Sequence, residues 1–596
     1  MKKSFRLFAC LGVLSMLLAG CSTSQEDSKP QRLQITNLNE FAAYLNRGSG
    51  EYELMADIDC EGTSITPYNI SFSGYIKRLY GNNHKITNFK VIGKENAALI
   101  ANAEKYEFYD ITFDDISIAG TNPAVLVSNA KSCVFQNITI GENVTVGDGS
   151  SDYTGGLVAK TSNKTIIKNC VNKATVKGGD YTGGLVGHLY NSSIEGSKNY
   201  GNITGYKNKN VGGLAGYVEH YDSSNTSASK CTFTGLENFG NVDGKSSEKV
   251  GGITGEINRT KHFIDSFDDE LSASDLKNHG DVKGKNNVGG IVGEVYDSIS
   301  TTPFSYCENS GSVIGEEYVG GIVGYNESYE PLASCKNLTN GNKSNYIEGT
   351  FFVGGIASRA TTVTFSENSM NVRLKKGTAK SDSRIDMNGQ YGIGGIIGMT
   401  KADKVSKIEN CINSGSIEGF EDSKSTKQAT SIGGIVGWFT GGSFQNNENT
   451  GSVNGSVGCG GLIGSYIPNY DTSFNNCNFT GELYAGSEYC GGLIGYIRGA
   501  GSNHKMMTII NCEVDTEDMY AYGSNFGGLI GYASVGTNTQ SNFETIKIFD
   551  SSISGTIHYK TAAQTLVGYN ELHSSSGKYC VVIDSSVTSS VNLVAE

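Results

Sequence analysis

Short apolar runs alternate with glycine and asparagine along most of the chain. The runs are two to five residues long, rich in β-branched side chains and bounded by glycine or asparagine. This pattern is typical of short strands joined by turns. No 3.6-residue periodicity persists through these segments, as an amphipathic helix would require. The exception is Leu38–Leu45, which predicts a short amphipathic helix ahead of a strand at Tyr52–Asp59.

The apolar runs belong to an internal repeat built on the string x-G-G-[ILV]-x-G. Its glycine pairs recur at intervals of 27 to 40 residues, and degenerate copies lie at 97–100, 124–127 and 566–569. Intervals of this size are typical of stacked-repeat proteins. The first residues of the twelve pairs are Gly155, Gly183, Gly212, Gly251, Gly289, Gly320, Gly354, Gly394, Gly433, Gly460, Gly491 and Gly527.

A second string, N-x-G-x-[VI]-x-G, lies between the glycine pairs. Its clear copies begin at Asn199, Asn238, Asn278, Asn309, Asn413 and Asn449. We expect glycine to supply positive φ at each corner of the chain. We expect asparagine to tolerate the left-handed region and to bond its own backbone in turns.

One repeat cannot bury a core alone, so neighbouring repeats are expected to stack with the 4.7–4.9 Å spacing of paired strands. The sequence therefore predicts an all-β, parallel β-helix-like solenoid of about 14 to 16 coils, roughly 70 Å long. This length assumes one coil per repeat. The predicted N-terminal helix would cap one open end.

Composition supports a rigid stack. The 596 residues include 79 glycines but only 6 prolines, which excludes collagen because its triple helix needs abundant proline and a three-residue glycine period. An apolar content of 37% argues against a flexible linker protein.

The N-terminus has the features of a processing signal. A basic start precedes the apolar run Leu7–Leu18, which is too short to span a membrane. Leu18-Ala19-Gly20-Cys21 then resembles the lipobox of bacterial lipoproteins, although an ordinary secretory signal is the alternative. The resemblance implies lipid attachment at Cys21, and an acidic pair at 26–27 is similar to surface-export signals. We therefore expect an outer-membrane, lipid-anchored protein exposed at the cell surface, with membrane lipid as its partner.

The repeat core G-G-[IL]-[VI]-G resembles the GLUG motif. That repeat occurs in bacterial surface proteins, among them some IgA-specific metalloendopeptidases and many Bacteroidota lipoproteins, and the resemblance implies a scaffold without chemistry of its own. The zinc motif H-E-x-x-H of the peptidases is absent from this sequence. We divide the chain into a signal (1–20), a lipidated tether (21–32), an N-terminal cap with degenerate first coils (33–130), the repeat solenoid (131–570) and a C-terminal cap (571–596).

Charge and cysteine content narrow the possible partners and cofactors. Cleavage after residue 20 removes three of the 47 basic residues, which leaves 44 against 60 acidic ones, and no basic cluster suggests a nucleic-acid partner. No C-x-x-C pair suggests a zinc site, and we expect no metal, cofactor or catalytic residue. Cys459 and Cys490 precede consecutive glycine pairs and should stack, either as a disulfide or as two small buried residues.

Three groups of carboxylates are candidates for glycan chemistry. They are Asp57 with Asp59, Asp148 with Asp152, and the acidic run 268–270. Each is explained more simply as a turn or a solvated loop.

The residue that follows the last glycine position of each motif varies freely, and stacking should align these residues in one solvent-facing column. They are Lys160, His188, Tyr217, Glu256, Glu294, Tyr325, Arg359, Met399, Trp438, Ser465, Tyr496, Tyr532 and Tyr569. Aromatic platforms suit sugars or peptides. The candidate binding stripe is therefore Tyr217, Tyr325, Trp438, Tyr496, Tyr532 and Tyr569. The alternative is a stacking ladder that only stabilises the coil.

From these features we expect a non-catalytic surface lipoprotein that acts as an adhesin or binding scaffold for glycans or host proteins. Two alternatives stay open. One is a β-helix enzyme acting on polysaccharides, which would need a carboxylate cluster with a nearby lysine or arginine in a cleft. The other is a fimbria-like structural subunit, which would self-associate.

Overall fold

The computed structural model describes residues 32–47, 49–69, 76–222, 231–261, 272–297, 304–327, 331–339, 341, 344–375, 392–419, 430–498, 505–534, 546–572 and 579–596. The predicted signal, Cys21, nearly all of the tether and the acidic run 268–270 lie outside the described residues. So do the segments 70–75, 223–230 and 376–391.

The described chain is a parallel β-solenoid with three sheets of 44, 16 and 13 strands. The prediction of an all-β stacked fold is confirmed. The 44-stranded sheet adds a partial turn at each end of the stack, and the sixteen-stranded sheet contributes one strand to each of sixteen coils. Its strands are Tyr68–Asn69, Ile100–Glu104, Val127–Lys131, Val158–Ser162, Val186–Tyr190, Ala215–Asp222, Thr254–Lys261, Val292–Asp297, Val323–Asn326, Ala357–Arg359, Ile397–Met399, Val436–Phe439, Ile463–Tyr466, Ile494–Arg498, Ile530–Ser534 and Val567–Asn570.

The thirteen-stranded sheet carries the start of each glycine pair. Gly155 pairs with Gly183 in parallel register, and Gly183 pairs with Gly212, so one repeat makes one coil, as assumed. The strands are Tyr153–Gly155, Tyr181–Gly183, Lys209–Gly212, Glu248–Gly251, Asn286–Gly289, Glu317–Gly320, Phe351–Gly354, Ile393–Gly394, Thr430–Gly433, Val457–Gly460, Cys490–Gly491, Phe526–Gly527 and Ala563–Gln564.

The 44-stranded sheet closes each coil with up to three short strands. In one typical coil these are Ile166–Lys168, Val171–Asn172 and Thr175–Gly178. The sheet begins at Leu33–Ile35 and ends at Thr588–Ala595, which pairs in parallel with Ser552–Tyr559. Apolar side chains from all three sheets meet in one core that runs along the stack.

The predicted N-terminal helix, α1, spans Leu38–Asn46 and buries Phe41, Tyr44 and Leu45. Asn37 caps it, because its side chain accepts a hydrogen bond from the Glu40 amide at 3.0 Å. The strand predicted at 52–59 is instead two strands, Gly50–Leu54 and Ile58–Ser64.

A buried lysine of the first coils forms hydrogen bonds to the C-terminal end of this helix. Lys77 is 2% exposed, and its Nζ donates to the carbonyl oxygens of Tyr44 at 2.7 Å and Arg47 at 2.8 Å. The ammonium also lies over the ring of Tyr44, 4.1 Å from its centroid. Burial lowers the pKa of Lys77 to about 7.

The asparagines of the second string, together with Asn172, Asn337 and Asn368 on other coils, form a buried ladder. Each Nδ2 donates to the Oδ1 of the next asparagine at 2.7–2.8 Å. Most also donate to the carbonyl oxygen two residues on, as predicted for asparagines that bond their own backbone. The ladder consists of Asn172, Asn199, Asn238, Asn278, Asn309, Asn337, Asn368, Asn413 and Asn449. We refer to it as the asparagine ladder.

The prediction for the backbone conformation of the repeat residues is wrong in two respects. The ladder asparagines are not left-handed; other residues, such as Asn410, Asn446 and Asn476, have positive φ. No glycine of the twelve pairs has positive φ either. The pairs are needed for close approach, because a Cβ on Gly290 would lie 2.0 Å from the carbonyl oxygen of Gly321 on the next coil.

Cysteines also stack inside the solenoid. Cys459 pairs in register with Cys490 on the next coil, as predicted, and both are buried free thiols. All twelve cysteines of the described residues are buried.

Candidate functional site on the sixteen-stranded sheet

The thirteen residues predicted to align do form one column on the sixteen-stranded sheet. Each is the direct in-register partner of the next, from Lys160 and His188 to Tyr532 and Tyr569. The register extends the column backwards through Asn129, Asn102 and Asn69, which the repeat motif does not predict. We call these sixteen residues the outer column.

The outer column is less exposed than predicted. Most of its side chains are half-buried; Glu256 is 6% and Ser465 is 7% exposed, whereas Tyr569 at the end of the stack is 43% exposed. Part of the cover comes from residues two positions before each glycine pair, which we call the flanking row. Its members include Tyr153, Tyr181, Asn210, Lys249, Asn287, Tyr318, Phe352, Ser431, Gly458, Tyr489 and Asn525.

The C-terminal part of the column is an aromatic cluster. Tyr532 stacks on Tyr569 with ring centroids 4.6 Å apart, and Tyr496 lies 5.4 Å from Tyr532. Tyr489 of the flanking row lies 5.1 Å from Tyr496 and 4.6 Å from Tyr532. Burial, together with the neighbouring Glu488, raises the pKa of Tyr489 to about 12. These four rings therefore form one continuous aromatic surface.

A second cluster surrounds Tyr325. Its ring lies 4.7 Å from that of Tyr318, which stacks in turn on Phe352 at 5.2 Å. The Arg359 guanidinium lies 5.3 Å from the Tyr325 centroid and donates to its hydroxyl. Trp438, two coils beyond Arg359, is half-buried, and its Nε1 has no hydrogen-bond partner among the described residues.

A carboxylate pair lies near the middle of the column. The Nζ of Lys249 lies 3.0 Å from Glu256 and 3.2 Å from Glu294, and Asn287 donates to Glu294 at 2.6 Å. Burial raises the pKa of Glu294. The single ammonium of Lys249 lies between the two carboxylates and can balance the charge of only one of them. Both glutamates were predicted members of the column, whereas the lysine between them was not foreseen.

A shallow groove of about 590 Å³ lies at the N-terminal end of the column. An amide row forms its floor: Asn102 donates to Asn69 at 2.8 Å, and Asn129 donates to Asn102 at 3.0 Å. Lys160 and His188 continue the floor along the outer column. The groove is also lined by Glu104, Lys131, Ser162 and Tyr190. We call it the N-terminal groove.

Aromatic rings stand beside this groove. Tyr153 stacks on Tyr181 at 4.9 Å, and His188 stacks on Tyr217 at 4.9 Å. The Lys160 Nζ lies over Tyr153, 4.6 Å from the ring centroid. The groove therefore combines amide donors and acceptors with aromatic faces.

Backbone strain distinguishes the flanking row. Tyr318, Phe352 and Tyr489 have φ values of 57°, 48° and 62°, in the left-handed region that bulky residues avoid. At the same position other coils place Asn210 or Gly458, which adopt this conformation more easily, and two coils place Lys249 and Ser431, with φ values of 58° and 65°. Five aromatic residues at one repeat position are visible in the sequence, and this signal could have identified the row.

The predicted carboxylate candidates do not come together as a site. Asp57 accepts from the His84 ring and the Lys85 amide, which lowers its pKa. Asp148 accepts from Ser150 within a turn, and Asp152 forms an ion pair with Lys207. Asp59 lies within the strand Ile58–Ser64, where it accepts the amide of Glu61 at 2.7 Å and the side-chain amide of Asn88 at 2.9 Å.

Among the described residues, no group of three or more His, Cys, Asp or Glu side chains could hold a metal ion. In the same part of the chain, no helix is long and apolar enough to cross a membrane.

Comparison with known proteins gives a weak structural similarity. No protein family and no curated protein matches the chain. A crystal structure from Bacteroides ovatus, described as a putative immunoglobulin A1 protease, aligns with 49% of this chain and 78% of its own. The sequence identity is 20% and the TM-score is 0.31. A match at this TM-score carries no argument about fold or activity, and the GLUG resemblance stays a prediction.

Proposed function

We propose that this protein is a non-catalytic surface lipoprotein whose outer column and flanking row bind an extended ligand, a glycan or a host protein. Membrane attachment would be through Cys21, as the lipobox resemblance implies. The rigid stack would present the ligand-binding face away from the membrane.

The strained aromatic residues of the flanking row carry this proposal. A left-handed conformation costs a side chain with a Cβ about 1–2 kcal/mol, and asparagine or glycine avoids much of that cost. Tyr318, Phe352 and Tyr489 adopt this conformation, although several other coils have asparagine or glycine at the equivalent position. A role for their rings beyond the backbone turn explains the choice, and ligand contact is such a role.

The test separates binding from stability. We expect Tyr489→Asn to leave the free energy of unfolding within about 1 kcal/mol, because relief of strain offsets the lost ring contacts. Binding to a glycan and host-protein array should fall at the same time. Trp438→Ala combined with Tyr496→Ala should likewise weaken binding without loss of the fold.

One outcome of the Tyr489→Asn experiment would contradict the proposal. A ladder that only stabilises the coil predicts lower stability for Tyr489→Asn with unchanged binding, and that result would reject the proposal. Size-exclusion chromatography of the wild-type protein addresses the fimbria-like alternative, which requires self-association.

The enzyme alternative gains no support from the carboxylate pair. Glu256 and Glu294 are both within ion-pair distance of the ammonium of Lys249, and Glu256 is almost fully buried. A general acid and base would need access to the scissile bond. A screen of polysaccharides for new reducing ends or unsaturated products tests this alternative directly.

A further inference from the structure

Two lysines line the N-terminal groove, and only one of them has an ion-pair partner among the described residues. Lys131 is paired with Glu104 at 3.1 Å, and the His188 Nε2 lies 2.9 Å from Glu219. Lys160 has no carboxylate within ion-pair distance among the described residues. The groove therefore contains one lysine ammonium without an ion-pair partner, 4.6 Å from the centroid of the Tyr153 ring.

The surroundings of Lys160 favour binding of an anion by its ammonium group. The side chain is half-buried, and the Tyr153 ring lies beneath its Nζ. Burial lowers the pKa of Lys160, since a charge in a partly desolvated site lacks full hydration. A ligand carboxylate would supply the missing counter-charge and form a charge-assisted hydrogen bond.

The rest of the floor suits hydroxyl groups. Each of Asn69, Asn102 and Asn129 offers a carbonyl acceptor and two amide hydrogens, and the bonds between them use only part of that capacity. The three amides recur with the coil spacing of about 4.8 Å, so an extended sugar chain along the stack would meet one on each coil.

A peptide strand fits this face less well. Val127–Lys131 is paired with strands on both sides, so its backbone groups are already used within the sheet. Peptide addition to a sheet needs a free strand edge, whereas a sugar ring can be bound by amides and aromatic faces alone.

We propose that the N-terminal groove binds a carboxylated glycan, with Lys160 meeting the sugar carboxylate and the amide row of Asn69, Asn102 and Asn129 meeting its hydroxyls. This inference rests on the proposed function and adds the chemical class of the ligand. Uronic acids and sialic acids share the required chemistry.

Matched pairs of probes test the charge requirement. The full chain, purified in detergent, is titrated with oligogalacturonate and with a sialyl-oligosaccharide, each beside its methyl ester. We expect at least one acid probe to bind about tenfold more tightly than its ester, with an affinity that falls as salt is added. Lys160→Gln should reduce the preference for acid over ester to less than about twofold.

Lys177→Gln is the control, because Lys177 is an exposed lysine on the strand Thr175–Gly178 of the 44-stranded sheet and does not line the groove. It should retain the wild-type preference, and circular dichroism should show the same thermal midpoint for all three proteins. Equal binding of acid and ester, a preference that survives Lys160→Gln, or no binding of either acid probe would overturn the inference.

These failures differ from failure of the proposed function. Array binding that depends on Tyr489 but not on Lys160 would retain a ligand-binding face and reject the carboxylated ligand. Loss of stability in Tyr489→Asn with unchanged array binding would reject the face itself.

Discussion

The asparagine ladder and the outer column are built by the same coils, yet they differ in the number of residue types that they contain. The ladder uses one residue type on nine successive coils, whereas the outer column uses nine residue types on sixteen. A ladder asparagine must donate to one neighbour and accept from the other inside a sealed core. An outer-column residue has only to fit a strand face.

The difference shows where the fold constrains the sequence. Inside, a change on one coil leaves polar groups unsatisfied on two others, which is costly in a low-dielectric core. Outside, lysine, glutamate, arginine and tyrosine all occupy equivalent positions, so the fold alone does not dictate the choice. Residue identity on the outer column is therefore the better guide to function.

The largest effect should come from a glycine pair. Gly290→Ala places a Cβ 2.0 Å from the Gly321 carbonyl oxygen, which is backbone and cannot move aside without disrupting the stack. We expect destabilisation of about 4 kcal/mol or more, or failure to fold, measured by denaturant unfolding.

The control for this change is Gly341→Ala. Gly341 has a φ of 60°, but a Cβ added there would meet no atom of the described residues within 4 Å, so backbone strain of about 1 kcal/mol is the expected cost. Equal destabilisation of both variants would contradict the close-approach explanation.

A break in the middle of the ladder should be the next largest effect. Asn309→Ala removes the acceptor of Asn278 and the donor of Asn337, and it also leaves the Gly311 carbonyl without its side-chain donor. We expect a loss of about 3 kcal/mol in unfolding free energy.

Asn446→Gly is the matched exposed variant. Asn446 bonds Asn410 and Asn476 through amides at the surface and has a φ of 54°, which glycine adopts freely. The unfolding free energy of the Asn446→Gly protein should differ from that of the wild type by less than about 0.5 kcal/mol. A similar loss in both variants would mean that burial of the ladder is unimportant.

Lys77 is a charged exception to the neutral interior, and it should give stability a pH dependence. Its pKa is about 7 in the fold and ordinarily 10.5, so the unfolded chain binds an extra proton between these values. Its contribution to unfolding free energy should therefore rise with pH across this window, by up to about 1.4 kcal/mol per pH unit.

Comparison with Lys77→Met isolates this contribution. Buried thiols such as Cys170, whose pKa burial raises to about 12, oppose it above about pH 8.5 in both proteins. Unfolding at pH 7.5, 8.5 and 9.5 should give a more positive slope for the wild-type chain. Identical slopes would show that Lys77 keeps its ordinary pKa.

The smallest effect is expected on the outer column. Met399→Tyr introduces a residue that equivalent positions already accept, so unfolding free energy should change by less than about 0.5 kcal/mol. A loss above about 2 kcal/mol would show that the column is as constrained as the ladder.

Much of the fold was predictable because a repeat multiplies a weak local signal. The glycine pairs mark the coil boundaries, and the register of Gly155 with Gly183 follows them. The reason for the glycines was not predictable, since positive φ and close approach both select glycine. The burial of Asn309 was equally hidden, because asparagine is common in turns and in ladders.

The sequence predicted which residues align in the outer column, but it did not predict the neighbouring residues that complete the candidate site. Counting from each motif gives the column from Lys160 to Tyr569. The flanking row lies in another sheet, and its contacts depend on how the corner folds. Asn69, Asn102 and Asn129 precede the clear repeats, so nothing in the motif aligned them with Lys160.

The asparagine ladder also sets the rule by which such a molecule can change in size. Every coil brings one amide donor and one acceptor, so excision of residues 290–320 would join Gly289 to Gly321 and bring Asn278 next to Asn337. The rod would lose one strand spacing of about 4.8 Å and keep its cross-section. Recombination between repeats can therefore lengthen or shorten the protein by whole coils. The length of the rod can change in this way while the residues of the outer column on the remaining coils stay the same.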